Sequence, residues 1–271
     1  MTLEGVIDTH VHAGPDVRPR KSTAWELARA AREAGMRAIV LKNHHCSTVP
    51  LAAALTEALP GIRVFGGLVL NHAVGGFNVE AVDAALRMGA AEIWMPTLSA
   101  ENECAWRGRP GDGLQALDDD GRPRKDLVAI IRRIARSGAV LGTGHLSVRE
   151  TAAVVALARE EGVRSILVTH PEIDFIAMDP EVQCALRGPG LFFERCFCRA
   201  GFRRDWAGLA ADIRLVGAES TVLATDLGQP DNPHPVEGLE IIAARLAEQG
   251  IPEESLQRMM VENPAIALGL D

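Results

Sequence analysis

Short apolar runs alternate with longer amphipathic stretches along nearly the whole chain. The runs cover residues 5–8, 37–41, 64–70, 92–95, 139–142, 165–168, 191–194 and 221–224. Each is short and rich in aliphatic or β-branched residues, the pattern of a parallel strand buried on both faces. Between them, apolar positions fall at helical spacing over residues 22–34, 78–88, 124–136, 147–161, 205–216 and 235–248. Most of these stretches are followed by a Gly suited to a C-cap. Ser147-Val148-Arg149-Glu150 has the form of a capping box. The connections after residues 50 and 179 are weaker in pattern but still helical.

The tally is eight strand–helix units in 271 residues. Units of this kind cross over with a right hand and build a parallel sheet. Eight of them predict a closed (β/α)8 TIM barrel, a single domain over residues 1–271. A doubly wound open sheet is the rival, but no dinucleotide fingerprint follows the first run. One segment, 99–125, breaks the rhythm, being long, polar and rich in Gly and Pro. Residues 113–117 and the stretch after Gly121 read as a small hairpin inserted after strand 4. That is the face on which such a barrel keeps its chemistry.

Composition narrows the class. Hydrophobic residues make up 47% and charged residues 24%, which suits a folded chain and not a disordered one. Aromatics are 4%, with no Tyr, so aliphatic side chains must fill the interior and a base-stacking surface is not expected. The net charge of −8 argues against nucleic acid or an anionic membrane as partner. Five Cys, an odd number, do not make a disulfide framework. No charged leader precedes an apolar stretch, the first run beginning at Val6. No apolar run reaches the roughly 18 residues of a membrane span. The expectation is a soluble, cytoplasmic protein with a small-molecule substrate. A homo-oligomer is compatible with the sequence but not specified by it.

The eight His residues change the picture most. His10 and His12 end the first run two residues apart, so both share one face of a strand. His44 and His45 follow the second run, His72 the third, His145 the fifth, His170 the sixth and His234 the eighth. All sit at or just past the C-terminal end of a predicted strand, and none falls inside a predicted helix. A lone His there reads as a structural group, but a cluster at the catalytic face of a barrel reads as a metal site. The acidic partner is Asp226, which ends the eighth run abruptly. Capping of the following turn is its alternative role.

This set of residues resembles the amidohydrolase superfamily of metal-dependent hydrolases, from Val6 to Gly269. Its matching pieces are His10-Val11-His12, His145, His170 and Asp226, each at its strand end and in order. The tail Asn263-Pro264-Ala265, followed by Leu268-Gly269, is similar to an ending common in that superfamily. The resemblance implies one or two divalent ions, zinc first, with Mn, Fe or Ni as alternatives. It implies metal ligation by His10, His12, His145, His170 and Asp226. In a one-metal site, His170 would instead stand beside the ion to polarise water or substrate. Asp226 and His170 are the implied catalytic residues, Asp226 by taking the proton from the activated water.

One position departs from the superfamily pattern. Many two-metal members carry a carboxylated Lys on strand 4, whereas this chain has Trp94-Met95-Pro96-Thr97. Glu101 or Glu103, from the following loop, is the candidate bridging carboxylate. Lys42 is read three ways: carboxylated, bound to an anionic substrate, or paired with an acid in the mouth. Lys42, His44, His72, Glu194 and His234 are the substrate-binding candidates. Glu194, Cys196 and Cys198 alternate along the seventh run and share a face, with core packing and a pair with Arg195 as the alternative. The leading reaction is hydrolysis of an amide, ester, lactone or phosphoester by metal-activated water. The alternatives are a decarboxylase of the aminocarboxymuconate-semialdehyde type, a histidinol-phosphatase-like phosphoesterase, and a non-catalytic binding protein on the same barrel. The phosphoesterase usually ends in Asp-x-His, where this chain has Asp226-Leu227-Gly228.

Overall fold

A computed structural model describes residues 2–197 and 205–270. Eight parallel strands follow one another around a single sheet in the order β1 to β8. They are β1 (Ile7–Val11), β2 (Ala38–Leu41), β3 (Arg63–Val69), β4 (Glu92–Trp94), β5 (Val140–Gly142), β6 (Ile166–Thr169), β7 (Leu191–Arg195) and β8 (Thr221–Leu223). All eight runs read from the sequence are strands. The first starts two residues later than its apolar pattern suggests and reaches Val11, so His10 lies on β1 itself.

Backbone and side chain together join the last strand to the first. Asp226 N–H donates to the His10 carbonyl and His12 N–H to the Leu227 carbonyl, both at 2.8 Å. The Asp8 carboxylate accepts from the Thr225 backbone at 3.0 Å and from its hydroxyl at 2.6 Å. The result is a (β/α)8 barrel, as the sequence predicts.

The helices surround this sheet. They are α1 (Ala24–Glu33), α2 (Val49–Ala58), α3 (Val79–Arg87), α4 (Glu101–Trp106), α5 (Lys125–Ser137), α6 (Val148–Glu160), α7 (Pro180–Leu186), α8 (Trp206–Val216), α9 (Pro235–Glu248), α10 (Glu253–Gln257) and α11 (Asn263–Ala267). The expected capping box forms at Ser147 and Glu150. A second one, Thr23 with Glu26, opens α1. None of these helices is long and apolar enough to cross a membrane. Aliphatic side chains between sheet and helices form the two large core clusters. Inside the barrel the apolar groups are fewer, and Leu268 packs against them from the bottom.

Above that floor lies Trp94, fully buried. It has room because Gly67 and Gly142 flank it. A Cβ at either position would meet the indole at 2.5 Å or 2.4 Å. The insertion after β4 is more ordered than its composition suggests. It begins with α4, and its hairpin is reduced to one antiparallel bridge, Leu117 with Pro123, around a turn.

Candidate metal centre

The C-terminal ends of the strands bring His10, His12, Lys42, His44, His145, His170, Glu194 and Asp226 together. All eight are buried. The cavity above them is about 300 Å³, and His12, His44, His145, His170 and Asp226 are among its lining. His170 and Asp226 have positive φ, 27° and 50°, a conformation that residues other than Gly adopt at a cost and that recurs at functional sites.

Asp226 Oδ1 is 3.2 Å from His10 Nε2 and 3.2 Å from His12 Nε2. Ligands about 2.1 Å from a tetrahedral zinc are separated by about 3.4 Å. Two nitrogens and an oxygen therefore converge with the spacing and chemistry that such an ion takes. Nδ1 of His10 lies 2.9 Å from Glu194 Oε2, which makes Nδ1 the donor and leaves the Nε2 lone pair facing Asp226. Lys42 Nζ is 3.0 Å from the same Nε2. His12 is held differently. Arg20, itself clamped by Asp16 at 2.6 Å, lies 3.3 Å from His12 Nδ1 and is able only to donate. Nδ1 then accepts, and Nε2 directs its hydrogen at Asp226. For His12 to hold a cation through Nε2, that proton would have to leave and Nδ1 would carry the ring hydrogen in place of the Arg20 bond.

His145 and His170 form a second nitrogen pair, with Nε2 atoms 3.1 Å apart. Glu103 Oε2 accepts from His145 Nδ1 at 2.5 Å, while its other oxygen binds Arg107. Glu103 thus orients an imidazole, with its two oxygens engaged by His145 and Arg107. Glu101 caps the amides of Gly111 and Gly113 in the insertion.

Electrostatics favour neutral rings at most of these positions. Burial lowers His12 to about 3, and it puts His44 and His170 well below the ordinary value. His145 is lowered too, burial outweighing Glu103. For His10, burial and Lys42 push downward but Asp226 and Glu194 prevail, so the net shift is upward. Burial lowers Lys42 against the pull of Asp226, Glu194 and Glu92. That amine stands 5.3 Å over the Trp94 ring. Burial, then Glu194, raises the Glu92 carboxyl well above its usual range.

Two candidates lie elsewhere. His72 is exposed, opens a short 3-10 turn and meets the Asp112 carbonyl at 3.1 Å. His234 caps α9, accepting from Val236 N–H. Cys196 is buried 3.9 Å from His10 Nδ1, and Cys198 lies outside the described residues. Arg195 points away from the mouth and pairs with Glu172, not with Glu194. Sequence reasoning did not single out Asn71, Thr97 or Asp8. Only Asp8 carried a signal, as a carboxylate on an apolar strand.

A family model described as a family of unknown function, DUF6282, matches residues 5–194, which includes Glu194 and leaves Asp226 outside. No curated protein matches the chain in sequence. Many solved structures share the barrel, three of them as follows. One is the probable dipeptidase PvdM from Pseudomonas aeruginosa, with TM-score 0.71 at 11% identity over 97% of this chain and 94% of that one. Another is an amidohydrolase from the same organism, with TM-score 0.69 at 13% identity over 98% and 95%. The third is 2,6-dihydroxybenzoate decarboxylase from Rhizobium, with TM-score 0.56 at 12% identity over 99% of both chains. At such identities the likeness is one of fold.

Proposed function

The chain belongs to the family of unknown function DUF6282, and we propose that this member is a metal-dependent hydrolase of small molecules. The observation that carries the reading is the position of Asp226 Oδ1, 3.2 Å from each of two imidazole nitrogens. A bound divalent ion, zinc in the first instance, would activate water and polarise an amide, ester, lactone or phosphoester oxygen. His10, His12 and Asp226 would hold that ion, and His145 and His170 would hold a second or bind the reacting group beside it.

The chain's own residues supply the rest. Asp226 stands at the mouth with an oxygen placed to accept a proton and return it to the leaving group. Glu194 and Glu103 fix the rings of His10 and His145 by their Nδ1 atoms. Arg18 lines the same cavity and has no carboxylate partner among the described residues, which favours a substrate with an anionic group.

A second reading is a decarboxylase. It is favoured by that same arginine and by the occurrence of a decarboxylase on this barrel. The test is elemental analysis of the purified protein and of a His10→Asn, His12→Asn variant. A panel of lactones, esters, amides, phosphoesters and aromatic acids follows, with carbon dioxide release monitored. The proposal expects bound metal that the variant loses, and hydrolysed product. Carbon dioxide without hydrolysis selects the second reading, and a wild-type chain that takes up no divalent metal overturns both.

A further inference from the structure

The position of the proton on His44 follows from a count of donors and acceptors behind it. Asn71 Oδ1 accepts from the backbone N–H of Thr97 at 2.8 Å and of Ser99 at 3.1 Å. Those two contacts settle which end of the amide is oxygen, so Nδ2 is the donor. It donates to the His44 carbonyl at 3.0 Å and to the Thr97 hydroxyl at 2.7 Å. The Thr97 hydroxyl must then place its own hydrogen. Thr97 is 0% exposed, so bulk solvent does not take it. Among the described residues, the side-chain acceptor in reach is His44 Nδ1, at 2.8 Å. Nδ1 therefore accepts, and a neutral ring carries its hydrogen on Nε2.

The other edge of this ring faces the cavity. His44 lines it together with Asp226, and its ring centre lies 4.9 Å from that of His12 and 6.3 Å from that of His145. Burial is the largest of the causes that hold this ring well below the ordinary imidazole value.

We propose that His44 is a substrate-binding donor and not a metal ligand, its Nε2–H hydrogen-bonding an oxygen of the substrate beside the cation donors, with Asn71 and Thr97 as the residues that position it. A donor fixed before substrate arrives needs no reorganisation when charge develops on that oxygen. The assignment rests on the proposed function for the identity of its ligand, but its proton count does not.

Proton–nitrogen correlation spectra of metal-free protein labelled at histidine show which nitrogen bears the hydrogen, with His44→Phe assigning the resonance. The expected result is hydrogen on Nε2 in the wild type and in Thr97→Ser, and its loss from Nε2 to Nδ1 or to a mixture in Thr97→Val. Hydrogen on Nδ1 in the wild type overturns the proposal. Acetate is the oxygen probe for the second measurement, titrated with and without zinc. Its dissociation constant rises about tenfold or more in His44→Phe and Thr97→Val. It stays at the wild-type value in Thr97→Ser, and zinc affinity is retained in all three variants. Acetate binding that ignores His44 overturns the proposal, as does loss of zinc on His44→Phe. Failure of the wild type to take up any divalent metal removes the proposed function alone, because spectrum and acetate titration still decide the role of His44.

Discussion

Glu194 holds His10 by Nδ1 at 2.9 Å and thereby aims the opposite nitrogen at Asp226. The carboxylate is itself fixed by the Thr9 hydroxyl at 2.6 Å. Replacing it with the isosteric amide in Glu194→Gln removes the carboxylate acceptor but keeps the packing. Zinc affinity, read by competition with a chromophoric chelator, is expected to fall about 10–100-fold. Unchanged affinity would show that this carboxylate does not orient a ligand.

Asp226→Asn tests the proton acceptor. The amide keeps an oxygen for a cation but is no longer basic. Much of the metal content is expected to remain while kcat drops by roughly 10²–10⁴. Full turnover in this variant would remove Asp226 from the chemistry.

Glu103 gives the protein a pH dependence. Burial alone would raise its carboxyl, but the bonds from His145 and Arg107 prevail and hold it at about 2, below its usual 4.5. The unfolded chain therefore binds this proton more readily than the folded one. The stabilisation is complete above pH 4.5 and is lost as pH falls toward 2, and it is on the order of 3 kcal/mol. Urea titrations across that range should show the slope in the wild type and a shallower one in Glu103→Gln.

Arg195 and Glu172 form an ion pair with both side chains almost wholly buried, and Gln183 accepts from the same guanidinium at 2.8 Å. Arg195→Met leaves the Glu172 carboxylate without its cation. A loss of about 3–5 kcal/mol in unfolding free energy is expected. Adding Glu172→Gln should recover much of it, because the penalty lies in the unpaired charge. Equal stability of the single variant and the wild type would contradict this account.

The alternation of apolar runs and amphipathic stretches carried the barrel, because a strand buried on both faces leaves a run that no helix pattern imitates. His10, His12, His145, His170 and Asp226 were legible for a related reason. A polar residue that ends an apolar strand has one place to go in this architecture. His72 and His234 satisfied the same rule and yet lie away from the cavity. Their loops carry them on to a turn and a helix cap, which strand position does not encode. Glu103 was recognised as reaching inward, but its partner was not, since α4 was hidden in a segment read as loop. Asn71 and Thr97 carry no periodic or compositional signal. Their role exists only in the order of hydrogen bonds across three strand ends.

The seam between β8 and β1 has a consequence for how the protein is assembled. Asp226 and His12 meet across 214 positions of chain, and they do so where the last strand is joined to the first. A fragment that begins after His12 or stops before Asp226 lacks one of the partners. Long-range closure of this kind is among the slowest contacts a chain makes, because the entropy of bringing distant segments together is lost before any contact repays it. Capture of a cation at this corner would then mark the completion of folding, and a metal-sensitive dye followed during refolding would time the closing of the ring.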